Sequence, residues 1–174
     1  MKTLVIVSHP SPDNSTAIKS LETASLDISD VTVRNLESLY GNDMSKIDVI
    51  AEQAACEGKD RIVFMFPIHW FNLTPMLKAY LNAVWAYGWA FGPEGNALKE
   101  KEMLVVTTAG ATEFTYSSAG LVQSTMQDVL TPMKACALYV GMSYLEPLSF
   151  YEAMGASDSK LSEFKTLLIN RLMA

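Results

Sequence analysis

Hydrophobic and polar positions fall into short apolar runs separated by helical stripes. Leu4-Val5-Ile6-Val7 is continuous, a polar cluster spans His9 to Ser15, and Ala17, Ile18, Leu21 and Ala24 then recur at helical spacing. This is a strand, a loop and a helix. Val31-Thr32-Val33-Arg34-Asn35-Leu36 alternates, as in a strand with one wetter face near a sheet edge. Ser45 is expected to open a second helix, with Asp48 completing a weak capping box and Ile47, Ile50, Ala51, Ala54 and Ala55 forming a stripe up to Gly58. Arg61 to Phe66 is apolar on both faces after its first residue, which predicts a central parallel strand. Thr74 caps a helix with Pro75 at its first position, and Met76, Leu77, Tyr80, Leu81, Val84 and Trp85 make a wide apolar stripe. Glu102 to Thr108 reads as a fourth strand and Ser143 to Leu148 as a fifth. Pro132 interrupts the less periodic stretch between them, and Leu161, Phe164, Leu167, Leu168 and Leu172 mark a final amphipathic helix.

Strands that alternate with helices in this way predict an α/β fold, a doubly wound parallel sheet with helices on both faces, in one domain over residues 1–174. Ligands in such sheets bind beyond the carboxyl ends of the strands, so the loops after strands one, three and four are the candidate site. Composition narrows the partners. With 13 basic and 19 acidic residues the formal charge is −6, which gives no cationic field for nucleic acid or an anionic membrane surface. The apolar runs are far shorter than the roughly 20 residues that cross a bilayer, so no membrane insertion is expected. Pro10, Pro12 and Asp13 stand where a signal peptide would stay hydrophobic. Cys56 and Cys136 are distant and unpaired in pattern, and His9 and His69 lack ligand spacing; this points to the cytoplasm and to no metal site.

The first loop, Ser8-His9-Pro10-Ser11-Pro12-Asp13-Asn14-Ser15-Thr16, contains neither a dinucleotide fingerprint nor a phosphate loop. Ser15 and Thr16 nevertheless precede a helix whose free amides and positive dipole end suit a phosphate, with His9 as a further donor. The plainer reading is that Ser15 only caps the helix. The second loop, Pro67-Ile68-His69-Trp70-Phe71-Asn72, offers aromatic surface and backbone N–H groups to a flat ligand, or else covers the sheet edge. The third, Thr107-Thr108-Ala109-Gly110-Ala111-Thr112, is small and polar, so backbone and hydroxyls can approach a ring edge; alone it is an ordinary turn.

These loops, with several further motifs, resemble the NAD(P)H:quinone oxidoreductases of flavodoxin-like fold, particularly the small bacterial branch that includes ancillary proteins of glutathione-gated potassium efflux. The resemblance rests on Ser8-His9-Pro10 with Ser15, Ala51-Glu52-Gln53, and Phe66-Pro67-Ile68-His69-Trp70-Phe71 followed by Thr74-Pro75-Met76-Leu77-Lys78. It continues through Gly88-Trp89-Ala90-Phe91-Gly92, Ala97-Leu98-Lys99, Thr107-Thr108-Ala109-Gly110 and Tyr139-Val140-Gly141-Met142.

The resemblance implies a five-stranded parallel sheet in the order 2-1-3-4-5 and a bound flavin, FMN or else FAD. The phosphate end would lie near His9, Ser15, Thr16, Ala17 and Ile18. The ring would lie between Pro67, Ile68, His69, Trp70, Phe71 and Thr107, Thr108, Ala109, Gly110. NAD(P)H would give hydride to the flavin and a quinone-like acceptor would take it; the alternative implied role is a regulatory subunit of a potassium-efflux antiporter. Two departures stand out. The family usually has Thr-Thr-Gly-Gly where Ala109 now stands, and an alanine is strained there if the backbone requires positive φ. Some relatives use a tyrosine and a later histidine as a relay, but no histidine follows His69, which leaves Tyr116 as the candidate acid. Trp85, Tyr87, Trp89 and Phe91 suit a homodimer contact, which in the family completes each cleft.

Overall fold

The computed structural model describes residues 1–174, except for the side chain of Asp13. Strands β1 (Thr3–Val7), β2 (Val31–Asn35), β3 (Arg61–Pro67) and β4 (Glu102–Thr108) run parallel in the spatial order β2-β1-β3-β4. The fifth position holds two short strands, β5 (Ser143–Tyr144) and β6 (Leu148–Phe150), both parallel to β4. This is the flavodoxin-like order, with the expected single strand Ser143 to Leu148 corrected to two. Pro147 has no N–H to give the ladder, and the pairing shifts by one residue between Met103↔Tyr144 and Val106↔Leu148.

The continuous apolar runs follow from burial on both faces of the sheet. Val5, Val7, Val63, Met65, Leu104 and Val106 pack on one side with Ile18 and Leu21 of α1 (Thr16–Leu26) and Phe164, Leu168 and Leu172 of α7 (Asp158–Met173). Leu4, Ile6, Ile62, Phe64, Phe66, Met103 and Val105 pack on the other. That side is covered by α3 (Val49–Cys56), α4 (Pro75–Val84) and α6 (Thr131–Tyr139), with two short helices, α2 (Leu36–Tyr40) and α5 (Met126–Val129).

Helix starts follow the capping chemistry, with one correction. Thr74 caps α4 as expected, its Oγ1 accepting from Leu77 N–H. The second crossover helix begins at Val49 rather than Ser45, because Asp48 is the cap and takes the Ala51 N–H at 3.0 Å. Ser45 instead bonds Asp43 within a 3₁₀ turn over Met44–Lys46. Helix α2 follows β2 directly, nucleated by Asn35, whose Oδ1 accepts from Ser38 N–H. The Glu52 side chain is fully buried and takes a forked pair of bonds from Arg34 of β2, 2.9 Å from Nε and 2.7 Å from Nη2, and one from Tyr40 Oη. Neighbouring Gln53 donates to Val84 O at 2.9 Å. The Ala51-Glu52-Gln53 motif thus clamps α3 to β2 and α4.

Candidate functional site

A cleft of about 590 Å³ opens at the carboxyl ends of the strands, a volume ordinary for a small-molecule site. Its lining gathers His9, Ser15, Thr16, Ala17, Pro67, Ile68, His69, Thr108, Ala109 and Gly110 from the three expected loops. In a chain of net charge −6, no carboxylate lines it among the described residues. A larger groove of about 820 Å³ lies between α1 and α7 but shares only Ser15 and Thr16 with this cleft and reaches none of the other strand-end loops.

At one end, Ser15 caps α1, its Oγ taking the Ile18 N–H at 3.2 Å. The N–H groups of Thr16 and Ala17, the first two of the helix, lie outside that cap, in residues that line the cleft. The Ser11 N–H donates to His9 Nδ1 at 3.0 Å, so the neutral ring carries its proton on Nε2 and offers a donor there. Burial, followed by the nearby charge of His69, lowers the His9 pKa below its usual value. Ile18 does not join the lining: its side chain is 2% exposed and packs into the core, and its amide is spent on the cap.

The loop after β3 folds into a tight turn. His69 and Asn72 exchange backbone hydrogen bonds of 3.0 and 2.9 Å, closing a two-residue hairpin turn. Its central residues, Trp70 and Phe71, have φ of 45° and 61°. Turns of this hand favour Asn and Gly, because a β-carbon crowds the backbone at positive φ. The turn's bonds use the His69 and Asn72 amides and leave out those of Trp70 and Phe71. Trp70 is 94% exposed and outside the cleft; the ring of Phe71 stacks at a tilt on Tyr116, 6.0 Å away.

The loop after β4 is pinned to its neighbours. Ile68 N–H donates to Thr108 O at 2.8 Å, and Ala109 N–H to Phe150 O at 2.9 Å. Ala109 and Gly110 both avoid positive φ, so alanine is unstrained in place of glycine. A β-carbon added at Gly110 would meet only Met154 Sδ, at an ordinary 3.7 Å. Thr107 is buried behind the cleft, its hydroxyl donating to Phe66 O at 2.8 Å. A fourth wall was not anticipated: Phe150, Ala153, Met154, Gly155, Ala156 and Leu161, from the end of β6 to the first turns of α7. The strand-end rule applied equally to the fifth strand could have found it.

Tyr116 is 9% exposed, lies between Phe71 and Tyr151, and does not line the cleft. Burial raises its pKa. The aromatic cluster divides: Trp85 is buried edge-on against Phe64, Trp89 and Phe91 are half-buried, and Tyr87 is exposed. The Phe91 ring touches those of Tyr87 and Tyr139, giving a surface band.

A flavodoxin-like fold family matches residues 1–169. The chain is 39% identical over 163 residues to the uncharacterized NAD(P)H oxidoreductase YdeQ of Bacillus subtilis, covering 94% of this chain and 82% of that one. It belongs to the flavodoxin-like NAD(P)H oxidoreductase and quinone reductase family. Within that family, the potassium-efflux ancillary protein KefF of Citrobacter koseri is 33% identical over 172 residues, 98% of this chain and 95% of that one. General stress protein 14 of Treponema denticola, solved in complex with FMN, superposes with a TM-score of 0.88 at 35% identity, over 99% of this chain and 97% of that one. Among the described residues of this flavodoxin-like oxidoreductase, no helix is long and apolar enough to cross a membrane.

Proposed function

We propose that this protein is a flavin-dependent NAD(P)H:quinone oxidoreductase that holds FMN in the 590 Å³ cleft. The carrying observation is the asymmetry of the lining. One end offers the His9 Nε2–H, the Ser15 and Thr16 hydroxyls and the first amides of α1, a donor set that fits a phosphate dianion. The other end has the small, β-carbon-free Gly110 beside Ala109, Thr108 and the Pro67–His69 segment, which leaves room for a planar ring. Glycine is not needed at residue 110 for its φ or for lack of space within the protein, which fits a ligand occupying that space. FMN is favoured over FAD by the relative solved with FMN.

The bound flavin supplies the exchange of two electrons, as hydride, between NAD(P)H and a quinone-like acceptor. The protein's share is placement: the α1 end anchors the phosphate, and the turn amides of Trp70 and Phe71 are free to donate to the ring edge. Tyr116, behind Phe71, supports that turn; it stands outside the cleft lining, and its raised pKa makes it a weaker acid than an ordinary tyrosine, so support is its main part. The band of Tyr87, Phe91 and Tyr139 is the homodimer contact, and two free cysteines fit a cytoplasmic setting. Likeness to KefF favours a second reading, in which the same flavoprotein attends a potassium-efflux antiporter; co-purification with such a transporter tests it.

The test is direct. Protein titrated with FMN should turn yellow with retained flavin, bleach on NAD(P)H without air, and recover its colour with a quinone. Gly110→Val should fold normally and bind FMN at least tenfold more weakly. Wild-type protein that takes up no FMN would overturn the reading.

A further inference from the structure

Behind the phosphate end lies a carboxyl group for which the proposed function has no use. Glu37, in the first turn of α2, is 7% exposed, and its two oxygens have unlike surroundings. Oε1 accepts from Ser8 Oγ at 2.8 Å, whereas Oε2 is sealed from solvent with no partner. Ser8 directly precedes His9, and its Oγ also lies 2.5 Å from Thr74 Oγ1. Thr74 in turn accepts the Leu77 N–H at 3.3 Å as the cap of α4.

Each hydroxyl has one proton, which fixes the direction of the chain. Ser8 gives its proton to Glu37, so Thr74 must donate to Ser8. The bonds therefore run one way, from the Leu77 amide through Thr74 and Ser8 to Glu37 Oε1. They tie the root of the His9 loop to the start of α4, the helix entered from the Trp70–Phe71 turn. For stability alone this is a poor arrangement, since a buried carboxyl with one oxygen unmet carries a desolvation cost that an apolar side chain would not. A local rule broken at a residue bonded to the neighbour of His9, which lines the cleft, points to a geometric role.

We propose that Glu37 is a positioning residue: through Ser8 it fixes the His9 loop against α4 and so sets where the phosphate end of the cleft stands relative to its ring end. This rests on the flavin reading above. FMN and riboflavin share a ring and differ by the phosphate, so the ratio of their dissociation constants isolates the end that Glu37 positions.

Glu37→Ala should lower FMN affinity about tenfold and riboflavin affinity less than twofold, while Glu37→Gln, which keeps an oxygen for Ser8, should restore the wild-type ratio within twofold. Ser8→Ala should match Glu37→Ala, and the double variant should be no worse than either. A Glu37→Ala or Ser8→Ala protein that folds, by circular dichroism, and keeps the wild-type ratio overturns the proposal; so does an equal loss for both ligands. If Glu37→Ala does not fold, Ser8→Ala alone decides. Should wild type bind neither flavin, the flavin reading fails, and amide hydrogen exchange decides for Glu37. Exchange at the His9 and Ser11 amides must then quicken at least tenfold in Ser8→Ala, and an unchanged rate overturns the role.

Discussion

Replacing Trp70 with Asn should make the protein more stable. Trp70 holds φ at 45° inside a two-residue turn, and a non-glycine side chain in that left-handed region costs roughly 1–2 kcal/mol, less for Asn. Little burial opposes the gain. With the side chain 94% exposed, the buried remainder of a tryptophan is on the order of 15 Å², worth about 0.4 kcal/mol. The net expectation is about 1 kcal/mol of stabilisation, or roughly 2–4 °C in Tm for a chain of this length. Urea denaturation of the apo protein is the assay, and the midpoint should rise without a change in slope. Phe71→Gly supplies the contrast: relief at φ 61° is outweighed by loss of the ring's buried half, on the order of 100 Å² or about 2.5 kcal/mol, together with the stack on Tyr116, so the midpoint should fall. A Trp70→Asn protein of unchanged or lower stability would show that the turn is not strained and would refute the reasoning.

Three further outcomes follow from the geometry. Glu52→Ala leaves the Arg34 guanidinium without its forked partner and should cost about 3 kcal/mol in urea unfolding, at the low end for a broken buried pair because Arg34 keeps some access to water. Ser15→Ala removes the α1 cap and should cost about 1 kcal/mol in the apo protein, while FMN affinity measured by fluorescence quenching falls as well. Burial, opposed by the bond from Ser8 and reinforced by the charge of Glu22, raises the Glu37 pKa above its ordinary 4.5. The folded state then holds the proton more tightly, so this group's contribution to stability is complete below that value and is lost as pH rises through the folded pKa. Glu37→Gln should remove that decline from a urea-midpoint series between pH 4 and 8; a decline of equal size in the variant would assign it elsewhere.

Elements set by burial on both faces were readable from the chain. The run Arg61 to Phe66 had to be a central strand, and Thr74-Pro75 marked a helix start by cap and ring geometry that act within a few residues. Where neighbouring signals competed, reading was less secure: Ser45 and Asp48 are both good caps, and only the carboxylate's bond to Ala51 N–H decides between them. The Trp70–Phe71 turn was illegible for a physical reason, since local preference argues against two bulky residues at positive φ and the pairing of His69 with Asn72 overrides it. Three strand-end loops were located because their rule depends on topology. The wall from Phe150 to Leu161 was not, since no side chain in it signals chemistry by its type.

The one-residue slip between β5 and β6 leaves the fourth side of the cleft on a separate adjustment from the other three. Glu146 and Pro147 set where Phe150 and the segment after it emerge, while β4 keeps its ladder to β3. Lengthening or shortening that short detour would advance or retract one lip of the opening and leave the opposite lips where they are. A change in spacer length alone would thereby alter the width of the opening without disturbing the sheet.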